Sequence, residues 1–268
     1  MWQYDFMRHA FEAGTIVAII AGIIGYFIVL RRSSFAAHAL SHIGFAGAAG
    51  AVLLGVNPII GLLVFTSGGG FAIATLGRKA ASRDVQIGTV LAFMLGLGVL
   101  FISLYSGYAT EAYSLLFGEI LGISSSDVLV TLIAALVLLA AVAILYRPLL
   151  FTSLDEDVAE AKGVSIFWIG VAFMLLIAVA TSIAVQVVGV LLIFALMVTP
   201  AAVAQRTTKR PSQGIFISVL VALAATWLGL FISFYVPYPV SFFITTATFA
   251  VYLAVRSWKA LRARRQLV

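Results

Sequence analysis

The chain has 268 residues, 63% of them hydrophobic and 10% charged, with a mean hydropathy of +1.16; too few polar groups remain to cover a soluble domain, so lipid is its expected solvent. Cysteine is absent, which excludes disulfides, thiolate metal ligands and cysteine nucleophiles. The net charge of +6 comes from basic residues set between apolar runs, so it reads as a topology signal, and nucleic acid is not an expected partner.

Apolar runs reach the ~20 residues needed to cross a ~30 Å hydrocarbon core, and they recur along the whole length. Segment 1–14 carries Asp5 and Glu12 with Arg8 as its one basic residue. It lacks the positive flank of a cleaved signal peptide and is expected to stay in the mature chain. Nine spans are predicted, at 13–30, 35–56, 58–76, 87–106, 127–146, 165–185, 187–204, 213–235 and 239–255. Asn57-Pro58 separates the second from the third, and Val236-Pro237-Tyr238 the eighth from the ninth, so each pair is expected to be a tight helical hairpin. The expected fold class is all-α: a polytopic transmembrane helical bundle forming one domain over 1–268, with a short helix outside the membrane at about 153–163.

Lys and Arg concentrate in cytoplasmic loops, so alternating spans can be oriented by where these residues fall. Arg31, Arg32, Arg78, Lys79, Arg83, Arg147, Lys162, Arg206, Lys209, Arg210, Arg256, Lys259, Arg262, Arg264 and Arg265 all lie on one side, which leaves Arg8 alone on the other. The N-terminus is therefore expected outside and the basic C-terminus inside. A wrong number of spans would have scattered these charges.

In chain order, the first feature with chemical content is in the second span. His38 and His42 stand at i and i+4, so both imidazoles leave the same helix face at a spacing that lets two nitrogens reach one divalent ion, with Ser41 beside them. Two histidines near a helix end can also simply bond backbone carbonyls or reach toward headgroups. Ionisable groups are costly inside a membrane and tend to face a pathway, which favours the ligand reading. The same span holds Ala36, Ala37, Ala39, Gly44, Ala46, Gly47, Ala48, Ala49, Gly50 and Ala51. Small residues let backbones approach, so this helix is expected to be packed centrally. Gly68-Gly69-Gly70 in the third span fits close packing or a bending point, and packing is the commoner cause.

Segment 107–126, with Glu111 and Glu119 among Tyr and Phe, suggests an interfacial or re-entrant helix able to dock a delivery protein. The stretch 153–163 has the parts of a short, terminated helix. Ser153 and Glu156 form a candidate capping box, Asp155 and Asp157 complement the dipole, Glu160 and Lys162 follow, and Gly163 suits a left-handed cap. A helix this short is marginal alone and is expected either to dock against something or to sit as a solvated loop helix. In the seventh span Thr199-Pro200 interrupts an apolar run, and a proline there kinks the helix. No P-loop, nucleophile elbow, zinc-protease motif or dinucleotide loop is present, so any nucleotide chemistry is expected on another subunit and a membrane enzyme is disfavoured.

Over essentially its full length the chain resembles the permeases of zinc and manganese ABC importers. Arg31-Arg32 followed by Ala39-Leu40-Ser41-His42 resembles the family's signature at the start of the second span. Glu160-Ala-Lys-Gly163 resembles its cytoplasmic coupling segment, and Val188-Gly189-Val190-Leu191-Leu192, continuing to Thr199-Pro200-Ala201-Ala202, its late-span signature. In that family the Ser-His pair is commonly preceded by an aspartate four residues before the histidine, and the two are associated with metal passage. Here His38 takes that position, and His42 inherits the family role by resemblance. Two imidazoles suit Zn2+ and a carboxylate suits Mn2+, so zinc is the expected cargo and manganese the second. The resemblance also implies a permease homodimer, a separate ATP-binding cassette ATPase gripping Asp155, Glu156, Glu160 and Gly163, an extracytoplasmic metal-binding protein that could dock near Glu111 and Glu119, gating or bending at Gly189, Thr199 and Pro200, and the cell membrane of a prokaryote.

Three other classes remain to be weighed. A secondary transporter would use His38 and His42 as a proton relay with no ATPase; such folds are often built from inverted repeats, and the sequence carries no convincing one. A permease for a bulky metal chelate would need a wide pathway and make the histidine spacing incidental. A structural scaffold would leave uptake intact on deletion.

Overall fold

The protein is described here by a computed structural model covering residues 3–75, 80–105, 118 and 120–265, and every regular element among them is a helix. In chain order these are α1 (Asp5–Leu30), α2 (Ser34–Leu53), α3 (Pro58–Thr75), α4 (Ala80–Leu104), α5 (Ser125–Leu154), α6 (Glu156–Ala161), α7 (Ile166–Thr207), α8 (Pro211–Tyr235) and α9 (Val240–Arg265). Eight of them, all but α6, are long and apolar enough to cross a membrane.

Local chemistry sets the ends. Asp5 lies in the first turn of α1, where the helix dipole favours an anion. The tight links between spans are stitched by backbone bonds: after α1, Arg32 takes a left-handed φ of 53° while Ser33 N–H donates to Ile28 O at 2.9 Å and Arg32 N–H to Val29 O at 3.2 Å. That pair of bonds is a Schellman closure, and an arginine rather than a glycine holds its left-handed position. Asn57 accepts from Ile59 N–H at 2.9 Å to start α3, and Ser124 with Asp127 forms a capping box at the head of α5.

The 42-residue α7 would be about 63 Å long if straight, twice the hydrocarbon thickness. It is broken at Gly189 (φ 80°, ψ 165°), a backbone region essentially reserved for glycine. Both ends return to the same end of α1. The Arg31 guanidinium lies 5.2 Å from the Phe173 ring, and Gln205 Nε2 donates to Tyr26 O at 3.5 Å. The element is thus a V whose limbs, 166–188 and 190–207, carry the sixth and seventh predicted spans, so the nine predicted spans reside in eight helices. Of the three expected gating or bending positions, Gly189, Thr199 and Pro200, the chain turns at Gly189. Pro200 is accommodated within the second limb, and the bend comes eleven residues earlier.

α1, α2 and α7 form the buried centre, whereas α3, α4, α5 and α9 present mostly apolar exposed faces, as lipid or another subunit requires. The small-residue stretch of α2 sits in the middle of the bundle, against α3, α4 and α7. Gly47 and Gly61 meet backbone to backbone: a Cβ on either would lie within 2.3 Å of the other's carbonyl oxygen. Gly69 and Gly70 are packing glycines, facing Ile43 and the Met174 carbonyl, while Gly68 faces open space.

The short helix expected at 153–163 is α6, and its start differs from expectation. Ser153 belongs to the last turn of α5, where its hydroxyl donates to Leu149 O. Asp155 instead caps both helices: its N–H donates to Phe151 O at 3.2 Å and its carboxylate accepts from Val158 N–H at 3.0 Å. The other end is as expected. Gly163 has φ 81°, with Val164 N–H on Ala159 O and Gly163 N–H on Glu160 O.

Candidate functional site

The first turns of α2 build the site. His38 and His42 share one face of that helix, with ring centroids 4.7 Å apart and planes at 86°. Phe194, on the second limb of α7, packs on His38 at 4.7 Å. The three rings form a short ladder in which His38 is half-buried and His42 is 9% exposed. Neither Nδ1 has a hydrogen-bond partner among the described residues, although both atoms are buried. A buried polar atom left unpaired costs about 1–3 kcal/mol, so two such nitrogens one turn apart leave room for a partner, a hydrogen-bonding group or a cation.

Ser41 does not join the rings through its proton. Its hydroxyl donates back to His38 O at 2.7 Å, which leaves only acceptor capacity. Among the described residues no cluster of three or more His, Cys, Asp or Glu exists, so these residues set two imidazoles and no carboxylate at this place. An imidazole binds a metal at about 2.0–2.1 Å, and zinc prefers four ligands. Two ligands hold such an ion loosely.

The remaining predicted residues fall into three places. Asp155, Glu156, Glu160 and Gly163 are all exposed around α6, near the end of the bundle where Arg31 lies. Gly189 is the apex of the α7 V, where Gly118, also at positive φ (75°), approaches so closely that a Cβ would sit 2.4 Å from the Val188 carbonyl carbon. Thr199 is half-buried and Pro200 buried in the second limb. Glu111 and Glu119 lie outside the described residues. Two contacts were not anticipated. Phe194 has no signature inside an apolar run, and Arg31, one of an Arg-Arg pair that reads as a charge marker, reaches across to Thr152 and Ser153.

The ABC 3 transport family matches residues 3–259. The manganese transport system membrane protein MntC of Listeria monocytogenes is 33% identical over 235 residues, covering 87% of this chain and 84% of that protein. The high-affinity zinc uptake system membrane protein ZnuB of Buchnera aphidicola is 30% identical over 256 residues, covering 94% and 97%. Among solved structures, PsaBC from Streptococcus pneumoniae in complex with Fab superimposes with a TM-score of 0.85 at 30% identity over 95% of this chain and 92% of that one. An inward-facing putative metal-chelate type ABC transporter shares the fold, with a TM-score of 0.69 at 14% identity.

Proposed function

The chain belongs to the ABC 3 transport family, and on that premise we propose that it is the permease of an ABC importer carrying a divalent transition metal into the cytoplasm, zinc first and manganese second. It is a multi-pass membrane protein, with eight helices able to span among the described residues. The observation that carries the reading is the buried pair of unpartnered imidazole nitrogens at His38 and His42. Moving a dication from water into an apolar interior costs tens of kcal/mol unless ligands replace its hydration shell. Neutral imidazoles replace part of it without adding a charge that would trap the ion. Conduction needs a site strong enough to admit the ion and weak enough to release it, which two ligands per chain supply. The donor set of the described residues, two imidazoles with no carboxylate beside them, supports zinc over the harder manganese. The names of the relatives support both metals.

The Arg31 end of the bundle, with α6 and the basic tail, faces the cytoplasm by the distribution of Lys and Arg. A separate ATP-binding cassette ATPase grips α6, an extracytoplasmic metal-binding protein delivers the ion at the opposite end, and two copies of the permease place their α2 helices about a shared path. ATP closes the ATPase pair, α6 moves, and the bundle alternates its access from delivery protein to cytoplasm. The test is metal accumulation in cells lacking the wild-type gene. His42→Ala is expected to abolish or severely reduce zinc and manganese uptake at normal protein levels, and wild-type rates for both metals would exclude the site. Dependence of uptake on the ATPase, rather than on a proton gradient, separates this reading from a secondary transporter.

A further inference from the structure

We propose that Arg31 is a positioning residue that transmits movement of α6 to the histidine-bearing helix, as the side-chain bridge between the α5–α6 joint and the α1–α2 turn. The inference rests on the permease reading and on the grip of an ATPase on α6, and it adds the route by which that grip reaches the metal site. At one end of the route α6 is fixed to α5 through a single residue. Asp155 is both the C-cap of α5 and the N-cap of α6, and Lys162 Nζ lies 5.4 Å from the Phe151 ring, tying the far end of α6 to α5 as well. A push on α6 therefore moves the last turn of α5.

That turn is where Arg31 is anchored. Its Nη1 donates to Thr152 Oγ1 at 2.8 Å and to Ser153 Oγ at 3.2 Å. Both hydroxyls face back to helix carbonyls, Thr152 to Pro148 O at 2.9 Å and Ser153 to Leu149 O, so each acceptor is held in place. The guanidinium also lies over Phe173 of the first α7 limb. These are charge-assisted contacts from a planar donor, which fix direction as well as distance.

At the other end, Arg31 is not on a flexible loop. It is the C-cap residue of α1, the next residue closes the Schellman turn, and Ser33, 4% exposed, accepts Ala37 N–H at 3.0 Å in the first turn of α2. His38 follows directly after Ala37. A displacement of the guanidinium thus passes through three hydrogen-bonded residues into the helix that carries both imidazoles. Around the bridge is a polar cleft of about 360 Å³, lined by Arg32, Ser33, Thr152, Ser153 and Glu156 among others, which leaves the α5–α6 joint room to move against the turn.

The experiment uses the assembled transporter, permease with its ATPase and metal-binding protein, in proteoliposomes supplied with zinc or manganese chloride. Metal accumulated and ATP hydrolysed are measured together. For Arg31→Gln the metal moved per ATP is expected to fall on the order of tenfold, the scale of a lost charged hydrogen bond, while the metal concentration giving half-maximal uptake stays at the wild-type value. Thr152→Val, which removes one acceptor and keeps the side-chain shape, is expected to lower the same ratio, and it decides the matter if Arg31→Gln does not assemble. A merely structural role would reduce both rates together. An unchanged ratio of metal to ATP in the assembled variants overturns the inference. Wild-type vesicles that hydrolyse ATP and accumulate neither metal would instead overturn the transport reading, an outcome visible before any variant is made.

Discussion

Gly25 packs α1 directly against the second limb of α7, and it offers a sharp test of this packing. A Cβ added there would lie 1.9 Å from the Met197 carbonyl oxygen and 2.8 Å from its carbonyl carbon. Real Cβ contacts stay at 3.0 Å or more, so Gly25→Ala forces the two backbones at least 1.1 Å apart at this crossing. Both obstacles are main-chain atoms of Met197 within the second α7 limb, and no side chain can rotate away to absorb the strain. Overpacking of this kind costs roughly 1–3 kcal/mol, and a backbone obstacle belongs at the upper end. For a chain of this size that is about 6–12 °C of melting temperature. The assay is thermal unfolding in one detergent at one scan rate, with Gly68→Ala as the control. A Cβ at Gly68 meets nothing within 4 Å, and alanine is favoured over glycine in a helix by about 1 kcal/mol, so the control is expected to match or exceed the wild type. Equal midpoints for Gly25→Ala and Gly68→Ala would refute the close crossing of α1 and α7.

Two further outcomes follow from the site. His38→Asp replaces an imidazole nitrogen donor with a hard carboxylate, so the ratio of manganese to zinc accumulated by cells is expected to rise several-fold; an unchanged ratio would show that this residue does not select the ion. Gly189→Ala places a Cβ on backbone at φ 80° and ψ 165°, a strain of about 1–3 kcal/mol. Uptake per membrane-inserted protein is expected to fall as the α7 limbs are re-angled, and full activity would mean that the break is not needed.

How much was legible beforehand follows from how far each signal reaches along the chain. Spans were legible because a lipid core imposes a run of about 20 apolar residues, and because the basic residues agree on a side. The V of α7 was legible as two spans, and the boundary drawn at Gln186 falls three residues before the actual break. The turn is at Gly189, which the resemblance had marked as a gating or bending position, and what the sequence did not mark is Gly118 pressed against it, a contact between distant segments. The α6 cap was misplaced for a similar reason. Ser153 and Asp155 are both competent caps by residue type, but the Ser153 hydroxyl is already committed to Leu149 O and to Arg31, so the cap passes to Asp155. The histidine pair was legible from i, i+4 spacing alone. Its third wall, Phe194, was not, since an aromatic within an apolar run carries no local mark of what it touches.

The ligand count explains why a permease would be built this way. Two imidazoles on one helix cannot close a tetrahedral shell, and the described residues add no carboxylate or third histidine nearby. A site completed by protein ligands would hold zinc at structural-site strength and stop transport. With a second copy related by a two-fold axis, the same helix would present up to four imidazoles, but only while the two α2 helices stand at matching height and rotation. Coordination then becomes a function of helix position. Small movements of α2 would raise or lower the number of nitrogens on the ion, so binding and release would follow from geometry. A bridge from the α5–α6 joint to the α1–α2 turn, the role proposed for Arg31, is what such a design would require.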